Sequence, residues 1–143
     1  MLRSSRAALL AAGAILAFGL GALGSSAVGA DPSLKSLRAR DAELDALSRQ
    51  AAYTSEVCGT RVSASIDWGS SKNWPATESL ADACDGALSA VESQCRAGRR
   101  GLVTRFVCAG DNSGASLSGK TLRYGASPRG DAYAETLSVL QSH

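Results

Sequence analysis

The chain has 143 residues, 15 Lys and Arg against 13 Asp and Glu, and a single histidine. Arg3 and Arg6 fall in an apolar leader, so the part that follows it carries 13 residues of each sign and no net charge. Net charge therefore gives no basis for bulk attraction to nucleic acid or to acidic membranes.

Residues 1–30 predict a secretory signal. Arg3 and Arg6 supply a positive start, and the run from Ala7 to Leu23 is apolar, rich in Ala and Leu, with Gly13, Gly19 and Gly21 inside it. Small residues lead to Val28-Gly29-Ala30, which suits signal peptidase, and Asp31-Pro32 opens the mature chain. The apolar run approaches the roughly 20 residues of a spanning helix, so an uncleaved anchor is the rival. No basic stop-transfer cluster follows, however, and cleavage without stable membrane insertion is the expectation. No cysteine precedes Cys58, so the leader offers no lipid attachment site. Ala, Gly and Arg are abundant and Lys is scarce, a pattern of GC-rich bacteria, and the expected location is periplasmic or secreted. About 113 residues remain, enough for one domain with a limited core, which covalent staples would help to stabilise.

Residues 31–57 predict an N-terminal amphipathic helix. Leu34, Leu37, Leu44, Leu47 and Ala51 recur at helical spacing, while Arg38, Arg40, Glu43, Asp45 and Arg49 fill the other face. Asp31 or Ser33 caps its start, and the helix packs on the domain or pairs with a second copy. Residues 58–143 predict a disulfide-stabilised α+β domain. From Thr60 to Trp68 the chain alternates, with Val62, Ala64, Ile66 and Trp68 on one side of a half-buried strand. After a polar loop over residues 69–73, a second helix is expected from Thr77, its N-cap, to Ala97. Leu80, Cys84, Ala87, Leu88, Val91 and Cys95 form its apolar stripe, and Gly98 stops it. Leu102 to Cys108 reads as a second strand. After a turn at residues 110–114, Leu117 to Tyr124 reads as a third, bulged at Gly119. A short helix over residues 131–141, presenting Tyr133, Leu137 and Leu140, closes the order α-β-α-β-β-α. The expectation is a three-stranded mixed sheet with a disulfide-clamped helix on one face, the first helix covering the other face or an edge.

Four cysteines allow three pairings. Cys84 and Cys95 share one helix face but lie roughly 16 Å apart along it, and a disulfide needs Cα atoms within about 7 Å. They cannot join each other. The helix runs back antiparallel to the first strand, so Cys95 ends near Cys58, and the second strand then carries Cys108 towards Cys84. The expected bonds are Cys58–Cys95 and Cys84–Cys108. A zinc site lacks its usual spacing, since no Cys-x-x-Cys occurs and the one histidine is His143.

Several chemistries lose their support. Residues 114–121 match the phosphate-loop string G-x-x-x-x-G-K-T, but that string needs a following helix, and strand residues follow. A His-dependent triad would have to use His143, and the thiols are taken up in disulfides. Asp67 and Asp111 could pair as carboxylates of a hydrolase, yet acids at strand ends are usual in solvated turns. The turn at Asp111 lacks the spaced acids and closing Glu of a calcium loop. Arg129-Gly130-Asp131, the tripeptide read by integrins, is taken as chance. No catalytic residue, metal or cofactor is expected.

One surface stands out. If the first two strands are parallel, their C-terminal ends share an edge with the N-terminus of the second helix, where ligands of open α/β sheets gather. Trp68, Lys72, Asn73, Trp74, Asp111 and Asn112 would meet there and could stack a sugar ring or grip a peptide. Against this, Trp68 could close the core and Trp74 staple the helix start. The expected function is non-catalytic: a binding or accessory protein of the cell envelope for a glycan or peptide, without nucleic acid. The alternatives are an inhibitor or specific partner of another exported protein and, last, a carboxylate-based hydrolase. Charge is also uneven along the chain: residues 31–95 hold six basic and ten acidic side chains, and residues 96–143 hold seven and three.

Overall fold

The computed structural model describes residues 33–143; the expected signal segment and its cleavage site lie outside the described residues. The elements are α1 (Leu34–Cys58), β1 (Ser63–Asp67), α2 (Leu80–Arg96), β2 (Arg105–Ala109), β3 (Gly114–Ser118), β4 (Thr121–Gly125) and α3 (Ala132–Gln141). No helix among the described residues is long and apolar enough to cross a membrane.

The architecture is α+β, with a mixed sheet of four strands in the order β1-β2-β4-β3. The expected three-stranded sheet is corrected by the segment read as one bulged strand. The chain reverses there, with Gly119 at φ 59° in a two-residue turn, and Ala115 and Leu117 pair with Tyr124 and Leu122 across a hairpin. The G-x-x-x-x-G-K-T string is thus β3, its turn and the start of β4, with no helix behind it. β1, β2 and β4 run parallel.

α2 is the centre of the packing, with Leu80, Cys84, Ala87, Leu88, Val91 and Cys95 all buried. Across from it lie Phe106 and Cys108 of β2 and Leu122 and Tyr124 of β4. Its N-cap is Ser79 rather than Thr77, because Ser79 Oγ accepts from Asp82 N–H at 3.2 Å. Gly98 takes φ 91° and closes the other end, where its N–H donates to Cys95 O and that of Arg99 to Gln94 O.

α1 does not cover the opposite face of the sheet. It lies along β1 and α2 on the helical side, fastened through Leu47, Ala51, Thr54 and Cys58, whereas Leu34 is 72% exposed. Only the C-terminal half of the expected leucine stripe is used for packing. With α3 set against α2 and β3, the three helices share one face. Among the described residues, no helix lies over the other face, which carries Ser65, Val107, Arg123 and Ser116 in register.

Glu43, expected on the outward face of α1, instead crosses to α2. Its Oε2 accepts from Ala81 N–H at 2.7 Å and from Ser79 Oγ–H at 3.0 Å. A carboxylate there answers both the unpaired amides and the positive end of the helix dipole. Glu43→Ala is expected to cost about 1 kcal/mol in urea unfolding, with Glu43→Gln intermediate; an unchanged midpoint for both would refute the cap.

The disulfides join Cys58 to Cys95 and Cys84 to Cys108. The first ties the end of α1 to the end of α2, and the second ties the start of α2 to β2.

Candidate functional site

The chain leaves β1 through Asp67, whose carboxylate accepts from Ser70 N–H at 3.1 Å and Ser70 Oγ–H at 2.7 Å. Ser71 then turns inward and is 7% exposed. Its hydroxyl donates to Asp67 O at 2.6 Å and accepts from Gly110 N–H at 2.8 Å, binding the end of β1 to the end of β2. Trp74 follows, half-buried, with its indole N–H on Glu78 O at 2.9 Å and its ring against Gly110. A methyl group on Gly110 would lie 2.9 Å from Trp74 Cε3, so glycine permits the indole to rest on the backbone.

Beyond β2 the chain curls back over the strand ends. Asn112 adopts φ 54°, a left-handed conformation open to asparagine, and its N–H donates to Ala126 O at 3.0 Å. Asp111 and Ser113 close over Gly125 and meet Arg123 from β4. Arg123 Nη2 donates to Asp111 Oδ2 at 2.7 Å and to Asp67 Oδ2 at 3.4 Å, and Nη1 donates to Ser113 Oγ at 2.7 Å. One guanidinium therefore holds the loops after β1 and β2 together, a role its planar fork of donors suits.

The structure divides the six expected site residues between two depressions. Asn73, Trp74, Asp111 and Asn112 line one of 370 Å³, together with Ser70, Pro75, Gly110, Ala126 and Pro128. Trp68, Lys72 and Trp74 line a second of 510 Å³, whose other wall is the N-terminal half of α1. Trp74 belongs to both. Trp68 shares the inner side of β1 with Ile66, and Arg40 of α1 lies over its ring at 5.1 Å from the centroid, so it is drawn away from the Asp111 loop. No local pattern in the sequence marks Arg123 or Ser70, and Arg40 reads there only as part of the polar face of the first helix.

Arg123 sets the charge state of the edge. Its hydrogen bond to Asp111, aided by Ser113, outweighs partial desolvation and holds that carboxyl down to about 2. Asp67 is lowered too, first by the hydrogen bonds from Ser70 and then by Arg123. Arg123 is raised in turn, mainly by Asp111. Both carboxylates are thus ionised at neutral pH, and neither is a proton donor there. Tyr124, beneath the edge, is pushed up to about 12 by burial and by Glu135 and Asp131.

A pH dependence follows. Because the folded chain lowers the pKa of Asp111 from 3.8 to about 2, the pair stabilises fully above the unfolded value and is lost as pH falls through that interval. The pair is partly solvated, so the contribution is of the order of 1 kcal/mol. Arg123→Met is expected to flatten the fall of the thermal midpoint between pH 4 and pH 2; an equal acid slope in both chains would exclude this ion pair as its cause.

Among the described residues, no group of three or more His, Cys, Asp or Glu side chains is placed to hold a metal ion. Comparison with protein-family models, with curated proteins and with solved structures finds no match for this chain.

Proposed function

We propose that the protein is a non-catalytic binding or accessory protein of the cell envelope, taking a glycan in preference to a peptide at the strand-end edge. One observation carries this: the half-buried indole of Trp74 and the side chains of Asn73, Asp111 and Asn112 line a single depression of 370 Å³, within the roughly 300–1,000 Å³ usual for small-ligand sites. A pyranose has an apolar C–H face for an indole and hydroxyls for amides and an ionised carboxylate. Asp111 is ionised at neutral pH, and Arg123 holds its carboxyl lower still, at about 2. The same pair gives no support to a carboxylate hydrolase, whose general acid needs a raised pKa.

Titration with a soluble chito-oligosaccharide, followed by indole fluorescence, tests the site beside a parallel titration with an uncharged hexapeptide. Asn73→Ala with Asn112→Gly removes both amides while keeping the left-handed position at residue 112. The expected result is saturable glycan binding that weakens about tenfold in this variant, roughly the loss of two hydrogen bonds, with an unchanged thermal midpoint. Binding of neither probe, or equal binding by the variant, overturns the assignment.

A second reading, an inhibitor or specific partner of another exported protein, draws on the N-terminal half of α1. Leu34, Leu37 and Leu44 are 72%, 41% and 39% exposed on a side of α1 that does not line the 510 Å³ groove. Such a stripe suits a protein partner rather than a sugar.

A further inference from the structure

The chain after the leader has no net charge, yet the topology sorts its charges end to end. β1, β2 and β4 are parallel, so their N-termini lie at one end of the sheet with the C-terminus of α2. Arg105 begins β2 and pairs with Ser63 and Thr121; Lys120 stands just before Thr121, and its carbonyl accepts from the N–H of Thr104 and Arg105. Arg61 precedes β1 by two residues. The Arg100 guanidinium reaches Gly59, where a methyl group would lie 3.5 Å from Nη1. All four side chains are exposed, and none forms a salt bridge among the described residues. Glu56 is the exposed carboxylate closest in sequence, and Glu92 is buried against Thr54 and Arg96. The opposite end carries Asp67, Glu78, Asp82, Asp111, Asp131 and Glu135 at the strand C-termini, the α2 and α3 N-termini and the loops before them, against Lys72, Arg123 and Arg129 of the same loops and strand ends, an excess of three acids.

We infer that the Arg61, Arg100, Arg105 and Lys120 end is a docking surface for anionic phospholipid, leaving the ligand edge facing away from the membrane. Cations from four separate segments converge on it, so a ligand spread over a plane meets them together. Three of the four are arginines, whose forked donors suit phosphate. A protein partner would want an apolar or aromatic centre. Among the described residues the exposed Leu34, Leu37 and Leu44 lie on the far half of α1, while Tyr53 and Tyr133, towards the end of α2, are separate rings whose hydroxyls meet Arg96 at 3.4 Å and Ser93 at 3.0 Å rather than an apolar cluster. A charged lipid surface needs no such centre; cations close to its headgroups suffice, and salt weakens the attraction. The docking is peripheral, by charge alone.

The test uses the oxidised chain from Asp31 to His143, which contains the whole core and both disulfides. It is sedimented with vesicles of phosphatidylcholine, with or without phosphatidylglycerol, at low and at moderate salt. Binding is expected only with phosphatidylglycerol, to be lost with added salt, and to fall at least tenfold in Arg100→Glu/Arg105→Glu. Arg38→Glu/Arg129→Glu, at the other end, is expected to bind like the parent. Thermal midpoints, with near-ultraviolet circular dichroism, show that each variant is folded. No binding, binding to phosphatidylcholine alone, or equal loss in both double variants overturns the inference. So does retention on immobilised polyphosphate without vesicle binding.

Discussion

Gly125→Ala is expected to lower the thermal midpoint by roughly 10 °C, from a cost of about 2–3 kcal/mol. Gly125 ends β4 beneath the returning loop after β2. An added methyl group would overlap Asp111 Oδ1 and Ser113 Oγ, and would sit 2.7 Å from the backbone nitrogen of Ser113. Side chains can rotate away from a clash, but a backbone nitrogen held in a tight loop cannot. The loop must lift, and Asp111 then leaves Arg123 while Asn112 gives up its bond to Ala126. The variant is therefore expected to lose the acid dependence assigned to Asp111 as well as stability, and to disturb the edge proposed for glycan binding. Gly69→Ala makes the contrast, since its methyl group would come only to 3.3 Å from Asp67 Oδ1 and should cost well under 1 kcal/mol. Equal midpoints for Gly125→Ala and the parent would mean that the loop does not rest on the strand.

What the sequence discloses follows the range of the interactions. α2 is legible because its stripe, Leu80 to Cys95, repeats within one helix and is buried along its whole length. The disulfide pairing is legible because helix rise alone forbids one partner choice and strand direction selects between the others. The β3–β4 hairpin was hidden by reading the apolar residues from Leu117 to Tyr124 as one run. The signal was present: Ala115 and Leu117 alternate on one side of Gly119-Lys120, Leu122 and Tyr124 on the other, and Leu117 meets Leu122 in register. The site was legible only in part. Strand ends bring Trp74, Asn73, Asp111 and Asn112 to one depression, but the side to which a loop folds depends on distant partners. Trp68 follows the alternation of β1 beneath Arg40 of α1. Arg123 gathers Asp67 and Asp111 from 56 and 12 residues away, and nothing near it in sequence announces this. The exposed Leu34 shows the reverse case, a periodic pattern without a surface on this domain to receive it.

Removing the disulfides one at a time is expected to give the largest losses of stability, in an order opposite to loop length. Closing loops with separations of 37 and 24 residues restricts the unfolded chain by roughly 4 and about 3.5 kcal/mol. On that count alone the Cys58–Cys95 bond should matter slightly more. Packing reverses this. All four cysteines are buried, at most 3% exposed, so either replacement with Ala leaves a cavity. The one at Cys84 and Cys108 opens between α2 and the middle of the sheet, where the surroundings collapse least, and costs about 1–2 kcal/mol more. Cys58 and Cys95 lie at the ends of α1 and α2, where Leu47, Ala51 and Thr54 continue to hold the helix. Cys84→Ala/Cys108→Ala is therefore expected to unfold at lower urea than Cys58→Ala/Cys95→Ala, and amide exchange in the latter should quicken first in the last turn of α1. Full reduction removes both constraints, together comparable to the whole stability of a domain this size. The reduced chain should be largely unfolded at 37 °C. A reduced chain with the same urea midpoint as the oxidised one would show that the core stands without its cross-links.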